Sequence, residues 1–215
     1  MTTKAFFSKY TPEARTIFRK LNISLLGAAI VVLVHATPAA AGTIVGKVLY
    51  KGRAIKPEAV VYIEKVDKQF PPPAEPVVID QVKMKFVPHV TPILVGTTVR
   101  FLNSDSVQHN VFTPSKAGDK FNLGTWPAGQ SKSYTFKRPG EVVLLCNVHP
   151  EMEAFVIVLQ NPYFSTTKRD GSYEIKNVPA GTYTLKIWHE RRKPTTQTVT
   201  VPESGNVEVN FDLRR

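Results

Sequence analysis

The sequence holds a single cysteine, Cys146, in 215 residues. That excludes an intramolecular disulfide, and it excludes a thiolate-rich structural zinc site, which takes two to four sulfurs. No apolar run reaches the roughly 20 residues of a membrane-spanning helix. Beyond residue 42 no segment carries the 3.6-residue apolar period of an amphipathic helix. Acidic residues are outnumbered, 17 against 28 Lys+Arg, for a formal net charge of +11. The surplus is spread along the chain, without basic and aromatic residues interleaved, and a nucleic-acid partner is therefore not expected. The one dense basic cluster, HERRKP (189–194), reads as a solvated turn or the guard of a sheet edge.

What is present begins with an export signal. Lys4, Lys9, Arg15, Arg19 and Lys20 precede the short apolar run LLGAAIVVLV, and the small residues AAA at 39–41 offer a cleavage site. Residues 1–41 are read as a signal peptide and the mature protein as periplasmic; an uncleaved anchor is the alternative, and contact with a membrane depends on it. Removing the five Lys+Arg and one Asp+Glu of this segment from the chain totals of 28 and 17 leaves 23 and 16. The mature part stays basic, which suits an acidic partner or surface only in a generic way.

The remainder reads as all-β. Short alternating or β-branched runs such as TIVGKVLY, EAVVYIEKV, TVRFLN, EVVLLC, EAFVIVL, TYTLKIW and VEVNFDL are separated by turn segments such as VGT, PAGQ, RPGE and PESGN. Many short strands at this spacing predict β-sandwich architecture. The proline-rich QFPPPAEP (69–76) is too stiff and donor-poor for a central strand and marks a module boundary. A second boundary falls near LQNPYFSTTKRDG.

Between two strand-like runs lies LLCNVHPEMEAFVIV (144–158), in which Cys146, His149 and Met152 stand three residues apart. A thiolate and a thioether are soft ligands and imidazole is borderline, so the set suits copper better than a hard cation. A second imidazole is available from His109 in NSDSVQHNVF. One thiolate, two imidazoles and a weak thioether form the trigonal, axially weak site of blue copper. Taken singly, Cys146 reads as a buried small hydrophobe, Met152 as core and His149 as a loop histidine; the shared spacing and His109 turn these readings into one site. A nucleophilic Cys–His pair is the rival chemistry, but no oxyanion or orienting motif accompanies it. His89 reads as a strand end, Glu151 and Glu153 as minor alternatives to Met152, Met84 as packing, and His189 as an exposed strand end.

The stretches MKFVPHVTPILVGTTVRFLNSDSVQHNVF and YTFKRPGEVVLLCNVHPEM resemble the cupredoxins, in the plastocyanin and amicyanin branch. The resemblance covers about residues 80–160, and the short C-x-x-H-x-x-M loop is closer to amicyanin. It implies a Greek-key β-sandwich over 77–160 holding one type 1 copper. His109, Cys146 and His149 would be equatorial ligands and Met152 the axial one. Asn110 would tie the two ligand loops together and tune the sulfur through hydrogen bonds.

The tail STTKRDGSYEIKNVPAGTYTLKIWHE resembles the carboxypeptidase regulatory-like domain, a transthyretin-like β-sandwich. Gly171 and Gly181 permit tight turns, while Tyr173, Ile175, Val178, Tyr183 and Leu185 supply one apolar face. The four strands read after residue 165 are too few for an independent sandwich. GTIVGKVLYKGRAIKPEAVVYIEKV resembles the opening of the same domain type. Residues 43–70 and 161–215 are therefore expected to form one discontinuous sandwich with the cupredoxin inserted; the alternative is that 43–66 extend the copper sandwich.

The expected function is single-electron transfer between a donor and an acceptor redox protein, which dock transiently near His149 and Pro150, without catalysis. A copper-handling or delivery protein is the second reading, weakened by the lack of extra Met/His clusters. A carbohydrate-binding or adhesion module, resting on the transthyretin-like part, is the third; it needs an exposed aromatic platform such as Trp188.

Overall fold

The computed structural model describes residues 41–114 and 120–213. All but the last residue of the expected export signal lies outside the described residues. Strands alone make up the regular structure among them. In chain order the first are β1 (Ala41–Tyr50), β2 (Arg53–Ala54), β3 (Val60–Ile63), β4 (Val77–Gln81), β5 (Phe86–Val87) and β6 (Val90–Leu94). Next come β7 (Thr98–Leu102), β8 (His109–Thr113), β9 (Phe121–Trp126), β10 (Ser131–Thr135), β11 (Gly140–Leu145) and β12 (Glu153–Leu159). The last are β13 (Phe164–Thr166), β14 (Ser172–Pro179), β15 (Gly181–His189), β16 (Arg192–Val201), β17 (Asn206–Glu208) and β18 (Phe211–Asp212).

Strands β4 to β12 pair only with one another, as two sheets in the orders β10-β7-β4-β5 and β6-β12-β11-β8-β9. Their shared core is built on Phe101, Trp126, Phe136, Val142, Leu144 and Val156. The flanking segments pair across this block. β1 lies between β14 and β17, and β3 lies between β13 and β15. The core of this second pair of sheets contains Ile44, Val48, Ile63, Tyr173, Ile175, Val178, Leu185 and Phe211. Tyr183, expected on the same apolar face, is half-buried against that core and donates its hydroxyl to the Pro179 carbonyl at 3.0 Å. Gly171 turns the chain into β14 at φ 80°, and a Cβ there would press on the Val48 carbonyl oxygen at 2.6 Å.

β12 explains how the two sandwiches meet. Side chains alternate across a strand with period two, yet EAFVIVL is buried from Ala154 to Leu159. Ala154, Val156 and Val158 enter the core of the first sandwich. Phe155, Ile157 and Leu159, on the opposite face, join Val60, Val90 and Trp188 in a separate cluster between the sandwiches. The continuous apolar run is therefore the mark of a strand covered on both faces. Polar contacts rim the junction. Trp188 Nε1 donates to Glu141 at 2.8 Å, and His89 Nε2 meets Glu190 at 2.6 Å.

The sequence reading omitted β4 and β9. In β9 the sequence FNLGTW interrupts the alternation with Gly124 at φ 69°, and the pairing with β8 shifts register between Asn110 and Phe112. A bulge of this kind hides a strand from any period-two pattern.

Candidate metal centre

His109 opens β8 and is completely buried. Cys146 follows the last residue of β11 and is 3% exposed. His149 lies in the turn that leads into β12, where Met152 N–H donates to the His149 carbonyl at 3.0 Å and closes the turn. One nitrogen of each imidazole and the Cys146 Sγ all lie within 4.8 Å of one another. His109 Nδ1 and His149 Nδ1 are 3.0 Å apart, with their rings edge to face. Met152 is buried in the same core cluster as Cys146. Glu151 and Glu153, by contrast, are exposed.

Asn110 ties the His109 strand to the cysteine loop through two bonds and to β9 through two more. Its backbone N–H donates to Cys146 Sγ at 3.4 Å, and its Oδ1 accepts from the Asn147 N–H at 3.3 Å. Its Nδ2 donates to the Gly124 carbonyl at 2.8 Å and to Asn122 Oδ1 at 2.9 Å. A buried amide so bonded is satisfied, and it holds the cysteine loop against β8 and β9. The N–H aimed at sulfur stabilises negative charge there, which is the state a metal ligand requires.

Asp105 was not singled out by the sequence, and it contacts the other side of the site. Its Oδ2 is 2.8 Å from His109 Nε2. A carboxylate at that nitrogen requires Nε2 to carry the proton, which leaves the Nδ1 lone pair directed at Cys146 and His149. Asp105 also accepts the amides of Lys83 and Met84. Burial works to raise the Asp105 pKa, but the Met84 amide, His109 and the Lys83 amide outweigh it and hold the carboxyl below its ordinary value of 3.8. The available signal was an acidic residue four positions before His109 in NSDSVQH. Only the folded loop shows which of its polar residues turns inward.

The remaining sequence candidates lie elsewhere. His89 is not part of the cluster; its Nδ1 lies 3.1 Å from the Glu153 carbonyl and its Nε2 meets Glu190. Met84, expected to pack, is 46% exposed, because its backbone at φ 54° is held by Asp105 and not by apolar neighbours. His189, expected to be exposed, is buried, with Nε2 at 3.2 Å from the Pro57 carbonyl and Nδ1 accepting the Arg191 N–H. Burial lowers its pKa. Trp188 is 6% exposed and packs on Phe155, so it offers no open aromatic platform.

One sulfur and two imidazole nitrogens converge without a carboxylate among them, and this donor set fits copper. An all-β scaffold carrying such a cluster at the ends of β8 and β11 defines a cupredoxin. Residues 74–159 match the family of copper binding proteins of the plastocyanin/azurin type, and residues 150–214 match the carboxypeptidase regulatory-like domain. The chain thus combines a copper-binding cupredoxin domain with a carboxypeptidase regulatory-like β domain. Over 56 residues it is 34% identical to the methylamine utilization protein MauL of Methylorubrum extorquens, covering 26% of this chain and 49% of that protein. The chain therefore spans about half the length of the curated relative it matches. Among solved structures, a copper-containing nitrite reductase from Thermus scotoductus is 28% identical with a TM-score of 0.39, covering 46% of this chain and 25% of that one. An amicyanin variant in its Cu(I) form is 27% identical with a TM-score of 0.37, covering 39% of this chain and 81% of that one. Both TM-scores lie below 0.5, and the all-β class follows from the strand order and the family matches.

Proposed function

We propose that this protein is a periplasmic single-electron carrier with one type 1 copper per chain, held by His109, Cys146, His149 and Met152. The observation that carries this reading is the convergence of Cys146 Sγ with the His109 and His149 nitrogens inside 4.8 Å. Bound there, copper supplies a one-electron couple between Cu(I) and Cu(II). The chain supplies the rest. Cys146 gives a strong anionic bond, and the Asn110 N–H spreads its charge. Asp105 fixes the tautomer of His109. Met152, buried beside the thiolate, offers a weak thioether that favours the reduced ion. Because β8, β11 and β12 are paired strands, the donors hold their places in both oxidation states.

His149 is the half-buried member of the set and the port for electrons, while His109 is sealed. Val148, beside His149, and Val107, two residues before His109, are 46% and 43% exposed, and Pro150 is exposed. They form a small apolar docking patch. Donor and acceptor redox proteins would use it briefly, through an interface of the small, weak class. Four protein donors leave no open position for a substrate, so the proposed role is carriage and not catalysis. The pairing of β1 with β14, β17 and β18, and of β3 with β13 and β15, supports a cupredoxin inserted over 77–160 into a sandwich made of 43–70 and 161–215.

The decisive experiment is an optical redox titration of the copper-loaded protein. An intense thiolate-to-copper charge-transfer band that bleaches on reduction is expected, and a pale d–d spectrum at stoichiometric copper would overturn the type 1 assignment. Met152→Gln should keep copper and lower the potential, since an amide oxygen favours Cu(II); an unchanged potential would remove Met152 from the axial role.

A further inference from the structure

The second sandwich contains a charged concavity that electron transfer does not use. The β1–β2 turn carries Lys51 and Arg53, Lys56 follows β2, and the β15–β16 turn carries Arg191 and Arg192. These five cations line one open cavity of about 530 Å³, and no carboxylate lines it. In sequence the two segments are unconnected. The fold joins them through His189 Nε2, 3.2 Å from the Pro57 carbonyl and 132 residues away. The turn in HERRKP, expected to be solvated, is exposed at Arg191, and with His189 and Arg192 it forms one wall of this cavity.

The cations are poised and under-partnered. Arg191 Nε donates to Glu190 at 2.7 Å. Among the described residues, Lys51, Arg53, Lys56 and Arg192 make no ion pair. The Arg192 guanidinium lies 3.8 Å over the Tyr50 ring, and its Nε is buried with no hydrogen-bond partner. Like charges gathered around a concavity repel, and an anionic guest relieves that repulsion. His189 adds no charge to the set: its ring nitrogens are committed to the Pro57 carbonyl and the Arg191 amide.

The chemistry of the lining selects among anions. Three guanidinium forks match phosphate oxygens two at a time, and two ammonium groups add point charge. The volume exceeds that of a bare ion and falls within the roughly 300–1,000 Å³ of small-molecule sites. We propose that this cavity binds a phosphomonoester together with the group that carries it, either a free phosphorylated small molecule or the headgroup of an anionic lipid.

The test is a titration of the isotopically labelled full chain with glycerol 3-phosphate, followed by amide shifts, alongside flotation with phosphatidylcholine vesicles with and without phosphatidic acid. Saturable shifts confined to Lys51–Lys56 and His189–Arg192 are expected. Arg53→Gln and Lys56→Gln, both at exposed positions, should each weaken binding about tenfold, the scale of one lost charged hydrogen bond. Lys168→Gln removes the same charge from an exposed loop and should leave affinity unchanged. Arg192→Gln is read only together with its thermal unfolding, because it also uncovers Tyr50. Saturation by glycerol 3-phosphate without flotation identifies a free ligand. Flotation that needs phosphatidic acid and is lost in Arg53→Gln identifies a lipid. Absence of both, or equal weakening by Lys168→Gln, overturns the site.

Discussion

The two sandwiches place their chemistry on opposite sides of their own surfaces. In the copper-binding sandwich His109, Asn110, Cys146 and Met152 are all at most 3% exposed, inside a core otherwise made of Phe, Val, Ile, Leu, Ala and Trp. In the second sandwich the apolar cluster includes Tyr173, whose hydroxyl is bonded to the Val209 carbonyl, while buried Asn161, Thr167 and His189 bond backbone groups, and the basic residues lie outside around the cavity. Buried polar groups cost stability unless they are bonded, so a core that keeps several in mutual contact does so for the site they build. The buried polar side chains of the second sandwich bond backbone groups and do not converge on one another. Convergence of buried polar groups is what marks the candidate metal centre.

Removing the thiolate breaks this contrast most completely. Cys146→Ser should abolish the charge-transfer band outright in an optical spectrum, whereas Tyr173→Phe should leave it unaltered. A second variant attacks the seam. Trp188 fills the cluster between the sandwiches against Phe155 and donates to Glu141. Trp188→Ala should cost about 3–5 kcal/mol in denaturant unfolding, and it should split one transition into two. A single unshifted transition would mean that the two cores do not stabilise each other.

Tyr173→Phe tests the scaffold alone. It strands the Val209 carbonyl in a buried place, and a loss of about 1–2 kcal/mol is expected. The smallest effect is electrostatic. Burial works to raise the Glu190 pKa, but His89 and Arg191 outweigh it and hold the carboxyl below its ordinary value of 4.5. A depressed carboxyl contributes stability above its unfolded pKa and loses it as pH falls through the folded value. Stability should therefore drop below about pH 4.5, and Glu190→Gln should flatten that part of the profile by at most about 1 kcal/mol. A profile identical to that of the unaltered protein would show that the His89–Glu190 contact contributes nothing.

The all-β class was legible because it is written locally. The three-residue step of Cys146, His149 and Met152 marked a candidate cluster. The structure brings the first two of these together with His109, 40 residues from His149, and the turn that holds His149 is closed by the Met152 N–H on the His149 carbonyl. Asp105 stands only four residues before His109, but nothing in NSDSVQH tells which of its polar residues turns inward. The His89–Glu190 pair and the basic cavity were not legible either. Each of these two depends on segments brought together from far apart, 101 residues in the case of His89 and Glu190, and no periodicity announces such a meeting. β9 was missed for the opposite reason, since a local bulge erased a pattern that would have announced it.

The antiparallel pairing of β3 with β13 sets Tyr62 opposite Phe164 and Val60 opposite Thr166. The chain thus leaves the second sandwich and returns to it at hydrogen-bonded neighbours, with about 100 residues between. Forming that pair from an unfolded chain means closing a long loop before any contact repays the lost entropy. If the copper-binding strands assemble first, the loop is already closed, and β3 and β13 are delivered to each other almost without cost. The order of folding is then inside before outside. The inner sandwich would then be complete while the outer one still waited for its last strands.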